Sequence, residues 1–183
     1  MRIESTPLKD CFIIHDSVFE DTRGYFFESF NQQKFKSVTG IDINFVQDNQ
    51  SCSSKGVLRG LHCQRGEYAQ AKLVRVLQGA VLDVAVDIRK DSATFGKHFA
   101  LELSENSHTQ FFIPRGFAHG FLVLSEYAVF FYKCDNYYNK QAESGIMYND
   151  ASLQIDWQLP QTELILSEKD KNNPSLKEIL HTL

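Results

Sequence analysis

Short strand patterns recur about every ten residues along most of the chain, and this spacing constrains the fold more than any other feature. The patterns are rich in β-branched and aromatic residues and are separated by turns, whereas helical patterns are few. The chain has 183 residues, 43% of them hydrophobic and 13% aromatic, which is enough for one sizeable core. We therefore expect a single, mainly β domain over residues 1–183, folded as a jelly-roll β-sandwich with short helices chiefly at the C-terminus.

Local signals predict the individual elements. Gly79–Arg89 alternates only partly, as a strand buried on both faces would. The polar run Asp48–Gly56 is predicted to be a loop, and Asn31 is predicted to cap a short helix over residues 32–37. Helical turns are expected from Ser167 and over Pro174–Leu180. Further strands are predicted at Cys11–Ile14, Tyr25–Phe30, Ile43–Gln47, Lys97–Leu103, Gln110–Leu124 and Tyr127–Lys133.

Charge and cysteine content narrow the function classes. The net charge of −4 and the pI near 5.8 come without a basic block, so we expect no nucleic-acid partner and favour a small phosphate-bearing molecule. The four cysteines form no C-x-x-C pair, which indicates reduced thiols rather than a zinc site or a disulfide framework. No secretory signal or membrane-spanning stretch is recognisable, and we expect a cytoplasmic protein without a membrane partner.

The stretch Gly56–Val76 gathers the residues with the clearest chemistry. It contains two strand patterns, Val57–Gln64 and Lys72–Leu77, and a hairpin with a long loop is the simplest prediction. Arg59 and His62 lie on the first strand, and Lys72 begins the second. An arginine, a histidine and a lysine close together favour a site in which cations bind an anionic substrate and the histidine acts as a base.

Strict alternation along the first strand separates Arg59 from His62, because adjacent faces of a strand take odd and even residues. Gly60 lies between them, and a glycine inside a strand often marks a bulge. We hypothesise that a bulge at Gly60 turns Arg59 toward the pocket that His62 faces.

His62 is a candidate general base, although a histidine in an apolar strand is more often a hydrogen-bonded core residue. A carboxylate that orients its ring would favour the catalytic interpretation, and both Asp83 and Asp170 are candidates. Lys72 has apolar neighbours on its own face, so its ammonium group is a candidate to stabilise an oxyanion. Tyr132 is either one more core aromatic or a proton donor to carbon.

Two short motifs resemble the signature motifs of the cupin superfamily. The first has Gly56, His62 and Gln64, and the second has Pro114-x-Gly116-x-x-His119. Metal-binding cupins ordinarily carry a second histidine where this chain has Gln64, and Glu67 is the remaining alternative for a third ligand. Because catalytic metal sites use about three strong protein ligands, a cupin without a metal is favoured. Cys63 is disfavoured as a nucleophile, since it points away from its neighbour His62.

A second resemblance is carried by the stretches Phe19–Glu28, Phe45–Asn49, Val57–His62, Lys72–Arg75, Asp83–Arg89, Ile113–Pro114, Gly116–Phe121 and Asn136–Tyr138. With these stretches the chain resembles, over nearly its whole length, the dTDP-4-dehydrorhamnose 3,5-epimerase family, a branch of the cupins. It implies an enzyme of rhamnose biosynthesis that inverts carbons 3 and 5 of dTDP-4-keto-6-deoxyglucose without a cofactor. It also implies a homodimer in which an N-terminal strand crosses to the neighbouring subunit.

The resemblance also suggests roles for individual residues. His62 would be the base, oriented by Asp170; Lys72 would stabilise the enolate oxygen; and Tyr132 would return a proton from the opposite face. With Asp83 these residues form the candidate catalytic set. The residues implied for substrate binding are Arg23, Phe26, Glu28, Gln47, Asn49, Arg59, His119, Tyr138, Glu143 and Lys169, and in a dimer Arg23 and Phe26 would serve the neighbour's pocket.

Several alternatives stay open at the level of sequence. The chain departs from the usual family pattern at Cys63, Ala71, Arg115 and Tyr148, and the number of inverted carbons is not fixed. A relative that epimerises one carbon or moves the ketone is the nearest rival. A metal-dependent cupin and a non-catalytic sugar-binding cupin are the more distant ones.

Overall fold

The computed structural model describes residues 1–180, which form two large sheets packed face to face. The larger sheet has six strands, in the order β1 (Arg2–Ser5), β2 (Phe12–His15), β10 (Thr109–Ile113), β7 (Lys72–Gln78), β12 (Tyr127–Cys134) and β5 (Gln47–Ser54). The smaller sheet has five, in the order β13 (Glu143–Gly145), β6 (Leu58–Gln64), β11 (Phe117–Val123), β8 (Ala80–Asp87) and β9 (His98–Ser104). This arrangement confirms the predicted jelly-roll sandwich.

The remaining elements are short. A separate hairpin consists of β3 (Phe19–Asp21) and β4 (Gly24–Phe26), which pair only with each other. The helices are α1 (Gln32–Thr39), α2 (Glu168–Lys171) and α3 (Leu176–Ile179), together with 3-10 turns at Gly66–Tyr68 and Gln161–Glu163. Within residues 1–180 no helix has the length and apolar character that a bilayer crossing requires.

Aromatic side chains fill the space between the two sheets. Phe111 and Phe130 come from the six-stranded sheet, and Phe121 comes from the five-stranded sheet. The rings of Phe121 and Phe130 stack with their centroids 4.2 Å apart. A stacked pair contributes more stabilisation than its buried area alone, and this pair joins the two sheets beside a cavity between them.

The last forty residues of the described chain cover the outer face of the five-stranded sheet. Ile146, Trp157 and Ile179 are buried there against Leu82 and Val84 of β8. Seven of the eight residues of β8 are consequently buried, which confirms the prediction of a strand covered on both faces. The same packing brings the C-terminal segment toward β6.

Helix α1 covers part of the outer face of the six-stranded sheet with the fully buried Phe35. The side chain of Asn31 accepts a hydrogen bond from the Lys34 N–H, so the predicted N-cap is confirmed. The helix continues two residues beyond the predicted end and stops at Gly40, whose φ of 74° suits glycine.

Four sequence predictions were wrong. Strands β6 and β7 do not form a hairpin, because β6 pairs with β11 and β13 whereas β7 pairs with β10 and β12 in the opposite sheet. The polar run 48–56 is mostly strand β5, an edge strand, and the strand predicted at 43–47 is largely irregular. The strand predicted at 25–30 ends at Phe26, after which the chain leaves the hairpin toward α1.

Candidate active site

A cavity of about 590 Å³ opens between the two sheets at the end where the edge strand β5 faces β6. Strands β5, β7 and β12 form one wall, β6 and β11 form the other, and residues 165–170 close one side. Phe121 and Phe130 supply apolar surface, and several polar side chains converge on the space. A cavity of this size with few convergent polar groups has the usual character of a small-molecule site.

Arg59 and His62 both line this cavity, as the bulge hypothesis predicts. The pairing of β6 with β11 shifts register in this stretch, since His62 faces His119 whereas Arg59 faces Phe121. Gly60 has a φ of 119°, and a Cβ there would lie 2.6 Å from the Gly120 Cα. Only a glycine therefore lets the two strands approach and turns both polar side chains to one side.

The His62 ring is oriented by Asp170, which resolves the two candidates that the sequence offers. His62 Nε2 lies 2.5 Å from Asp170 Oδ1, while Nδ1 has no hydrogen-bond partner among the described residues. The His62 side chain is 31% exposed and that of Asp170 only 4%. The arrangement is that of a general base whose second ring nitrogen is held by a buried carboxylate.

The C-terminal segment brings Asp170 into place by pairing with the start of β6. The Leu58 N–H donates to the Ile165 carbonyl, and the Ile165 N–H donates to the Gly56 carbonyl. Burial raises the pKa of Asp170, but hydrogen bonds from His62, from Ser167 and from the backbone lower it further than burial raises it. The net pKa lies below the ordinary value, so Asp170 is a carboxylate at neutral pH.

Asp83, which the sequence offers as a partner of His62, contacts His119 instead. It is fully buried on β8 and accepts hydrogen bonds from His119 Nε2 at 2.9 and 3.0 Å. Burial lowers the pKa of His119, and the nearby Lys72 and His62 lower it further, while Asp83 opposes the shift. A neutral His119 lines the cavity beside His62, and Asp83 lies behind it without reaching the cavity surface.

Lys72 and Tyr132 occupy the opposite wall, on β7 and β12. The Lys72 Nζ lies 5.7 Å from the centroid of the Tyr132 ring. Burial lowers the pKa of Lys72 and raises the pKa of Tyr132. The phenol is therefore protonated at neutral pH and faces the cavity from the side opposite to His62, as a proton donor would.

The mouth of the cavity has a chain of polar contacts that includes five of the ten predicted substrate-binding residues. Asn49, Arg59 and Lys169 line the cavity itself. Lys169 forms an ion pair with Glu143, whose Oε2 also accepts a hydrogen bond from the Tyr138 hydroxyl at 3.1 Å. The Gln47 side chain accepts from the Tyr138 N–H at 3.0 Å and donates to Asn49 Oδ1 at 3.0 Å.

Three predicted substrate-binding residues lie away from the cavity of their own chain. Arg23 and Phe26 belong to the exposed β3–β4 hairpin, where Arg23 pairs with Asp21. Glu28 pairs with Lys34 at the start of α1. Within one chain, none of the three lines the cavity that contains His62.

The residues discussed as metal ligands have other partners. Within residues 1–180 no three His, Cys, Asp or Glu side chains gather in the way that a metal site requires. Gln64, in the place of the second cupin histidine, accepts a hydrogen bond from the Asn139 N–H at 2.9 Å. Glu67 lies on the exposed 3-10 turn and does not line the cavity. Burial raises the pKa of Cys63 to about 11, and its side chain packs in the core, as the prediction against a nucleophile requires.

The sequence interpretation missed the contribution of the second half of β5. Gln50 and Ser51 line the cavity, and Ser53 accepts a hydrogen bond from Arg59. These residues were assigned to a loop because they are polar. In the structure the more and less buried positions alternate through the strand, but no alternation of apolar and polar residues marks it in the sequence.

Comparison with known proteins agrees with this geometry. The sequence model of the dTDP-4-dehydrorhamnose 3,5-epimerase family matches residues 5–178. The Escherichia coli K12 protein of that name is 54% identical over 181 residues, which cover 98% of this chain and 97% of that protein.

Solved structures show the same relationship. The crystal structure of dTDP-4-dehydrorhamnose 3,5-epimerase from Elizabethkingia anophelis superposes with a TM-score of 0.95 at 59% identity, covering 97% of both chains. The Legionella pneumophila dTDP-6-deoxy-D-glucose-3,5-epimerase in complex with dTDP-4-keto-L-rhamnose has a TM-score of 0.93 at 48% identity, covering 97% of this chain and 94% of its own. The chain therefore belongs to the dTDP-4-dehydrorhamnose 3,5-epimerase family, whose fold is a cupin-type jelly roll.

Proposed function

We propose that the chain inverts carbons 3 and 5 of dTDP-4-keto-6-deoxyglucose, giving dTDP-4-keto-L-rhamnose, by proton transfer without a cofactor. The observation that carries this proposal is the placement of the His62–Asp170 pair and of Tyr132 on opposite walls of one cavity. The names of its close relatives and the ligand of the Legionella structure support the same substrate class.

The chemistry follows from the position of the ketone. Carbons 3 and 5 both flank carbon 4, so loss of a proton from either one gives an enolate. His62 removes the proton and becomes an imidazolium, which Asp170 stabilises, while Lys72 stabilises the enolate oxygen. Tyr132 then donates its proton to the opposite face of the same carbon, which inverts it. Solvent then takes the proton from the His62 imidazolium and returns one to Tyr132, so the reaction is balanced by exchange of one hydrogen at each carbon.

The diphosphate and the base of the nucleotide would bind at the mouth of the cavity. Arg59 offers a guanidinium group, and Lys169, which also lines the cavity, offers a second cation. Gln47, Asn49 and Tyr138 are already joined by hydrogen bonds at this rim. The half-exposed ring of Tyr138 provides an aromatic face for a pyrimidine base.

We further propose that the chain forms a homodimer in which the β3–β4 hairpin completes the neighbour's cavity. The hairpin makes no sheet pairing with the body of its own chain, and Phe19 and Phe26 on it are 67% and 69% exposed. Exposed aromatics beside an exposed arginine are unusual for a free surface and typical of a contact region.

Proton NMR in heavy water tests the reaction. dTDP-4-keto-6-deoxyglucose is incubated with the protein, and deuterium incorporation is followed at carbons 3 and 5 together with the configuration of each. Exchange with inversion at both carbons is expected. Exchange at one carbon would replace the proposal by a mono-epimerase, and an unchanged spectrum would remove this substrate.

Complementation tests the dimer. The variants Arg23→Ala and His62→Ala are each expected to be nearly inactive as homodimers. If the hairpin serves the neighbour, mixed dimers contain one pocket in which both residues are intact, and activity returns on subunit exchange. If verified mixed dimers stay inactive, Arg23 acts in the pocket of its own subunit.

A further inference from the structure

The inward face of edge strand β5 is polar along its whole length, although it faces the interior of the sandwich. Gln47, Asn49, Ser51 and Ser53 are the less exposed residues of the strand, and they alternate with more exposed ones. Inward positions of a sandwich strand are ordinarily apolar. Polar side chains at such positions need hydrogen-bond partners, and Ser53 has a defined one.

Ser53 is 8% exposed, and its Oγ accepts a hydrogen bond from Arg59 Nε at 3.1 Å. The two residues belong to different sheets, so the bond crosses from β5 to β6 beside the cavity. Ser53 does not itself line the cavity, whereas Arg59 does. The serine thus contacts the arginine from behind.

The bond restricts how the guanidinium can rotate. With Nε engaged by Ser53, the plane of the group is fixed, and its two terminal nitrogens remain to donate. Among the described residues Arg59 has no carboxylate partner at ion-pair distance, and its one side-chain hydrogen bond is the bond to Ser53. A fixed and unneutralised fork of this kind suits bidentate binding of a phosphate group.

We infer that Ser53 is a positioning residue, which orients Arg59 to bind the diphosphate of the nucleotide sugar. The inference rests on the proposed function, because it takes the diphosphate as the anion that Arg59 binds. The benefit is pre-organisation: a guanidinium that already has its binding orientation loses less conformational freedom when the substrate arrives.

The test measures dTDP binding by calorimetry and steady-state turnover of the nucleotide sugar in Ser53→Ala. Loss of one hydrogen bond of this type should raise the Kd for dTDP and the KM about three- to tenfold, with kcat within about twofold of the parent. Ser54→Ala is the matched control, because Ser54 is the exposed neighbour on the same strand. It should leave both constants unchanged.

Variants at Arg59 show whether Ser53 acts through the arginine. In an Arg59→Lys background, which lacks Nε, the additional change Ser53→Ala should have no further effect on the Kd for dTDP. Two results would overturn the positioning role. One is that Ser53→Ala weakens dTDP binding as much in the Arg59→Lys background as in the parent. The other is that kcat of Ser53→Ala alone falls by as large a factor as its KM rises.

Arg59→Ala separates this inference from the proposed function. If Arg59→Ala weakens dTDP binding and Ser53→Ala does not, the positioning role is wrong and the binding site stands. If Arg59→Ala leaves the Kd for dTDP unchanged, the proposed diphosphate site itself is wrong.

Discussion

His62 and Asp170 are 108 positions apart in the chain, yet His62 Nε2 lies 2.5 Å from Asp170 Oδ1. The histidine is partly exposed to the cavity, and the aspartate is almost completely buried behind it. Because the pKa of Asp170 lies below its ordinary value, the carboxylate keeps its charge over the whole neutral range. The pair therefore combines a histidine that is accessible from the cavity with a buried aspartate that is charged at neutral pH.

Replacing Asp170 by asparagine should reduce kcat by about 10²- to 10⁴-fold while dTDP still binds. In the proposed mechanism His62 takes the proton and becomes an imidazolium, which a neutral amide cannot stabilise. The measurement is turnover together with calorimetric binding of dTDP. Lys171→Gln, a change at an exposed neighbour on α2, is the control and should leave kcat unaltered. Near-normal turnover of Asp170→Asn would contradict the role of the pair.

Tyr132→Phe should separate exchange from inversion. His62 remains able to remove the proton, but the opposite wall of the cavity no longer has an acid. In heavy water the variant should still incorporate deuterium into the substrate, but it should form product at least about 10²-fold more slowly than the parent. Inversion at the parental rate would mean that another group delivers the proton.

The alkaline side of the kcat profile should report the deprotonation of Lys72. Burial lowers the pKa of Lys72 from its ordinary value of 10.5, and the same effect raises that of Tyr132 above 10.0. When a rising pH removes the proton from Lys72, the proposed cation at the enolate oxygen is lost. In Lys72→Arg, which keeps its charge, residual activity should persist to higher pH. An identical alkaline limb in parent and variant would argue against Lys72 as the titrating group.

Acid stability should depend on Asp87, which is fully buried at the end of β8. Burial raises its pKa, but hydrogen bonds from Arg89, Ser92 and Thr94 outweigh that effect and lower the pKa from 3.8 to about 2. A lowered pKa means that the stabilisation is complete above pH 3.8 and is lost as the pH falls toward 2. The expected loss is about 2 kcal/mol of unfolding free energy.

Asp87→Asn provides the comparison for that prediction. The variant should be less stable than the parent at neutral pH, and the difference between the two should shrink as the pH approaches 2. Urea unfolding at several pH values measures how the unfolding free energy of the parent and of the variant changes with pH. A difference that stays constant with pH would show that the charge of Asp87 is not the stabilising feature.

Gly120→Ala should destabilise the fold at the point where β11 passes β6. A Cβ at Gly120 would lie 2.7 Å from the Arg59 carbonyl oxygen and 3.2 Å from the Gly60 Cα, both of them backbone atoms. Separating the two strands should cost about 1–3 kcal/mol in urea unfolding. Because Arg59 would move with its strand, the affinity for dTDP should fall as well, and an unaltered affinity would contradict that coupling.

The sequence predicts well those elements whose signal is local. The buried run of β8, the cap at Asn31 and the glycine bulge between Arg59 and His62 are each read from a few neighbouring residues. Strand β5 was missed because its inward face is polar, and polarity resembles a loop when the cavity it faces is unknown.

Local sequence patterns do not predict which distant segments of the chain pair with each other. Nothing near His62 distinguishes Asp83 from Asp170, because both assignments depend on how strands and the C-terminal segment come together. The hairpin prediction failed for the same reason: β6 and β7 follow each other in sequence, but each finds better partners in a different sheet.

The origin of Asp170 in the C-terminal segment also has a consequence for the timing of biosynthesis. A polypeptide is made from its N-terminus, and domains generally fold as units while the chain emerges. At about 5 to 20 residues per second, the 108 positions between His62 and Asp170 correspond to about 5 to 20 s of translation. During that interval the sheets can assemble, but His62 lacks the carboxylate that orients it. A nascent chain arrested before residue 170 should therefore not turn over substrate, and turnover should begin only after Asp170 has been made.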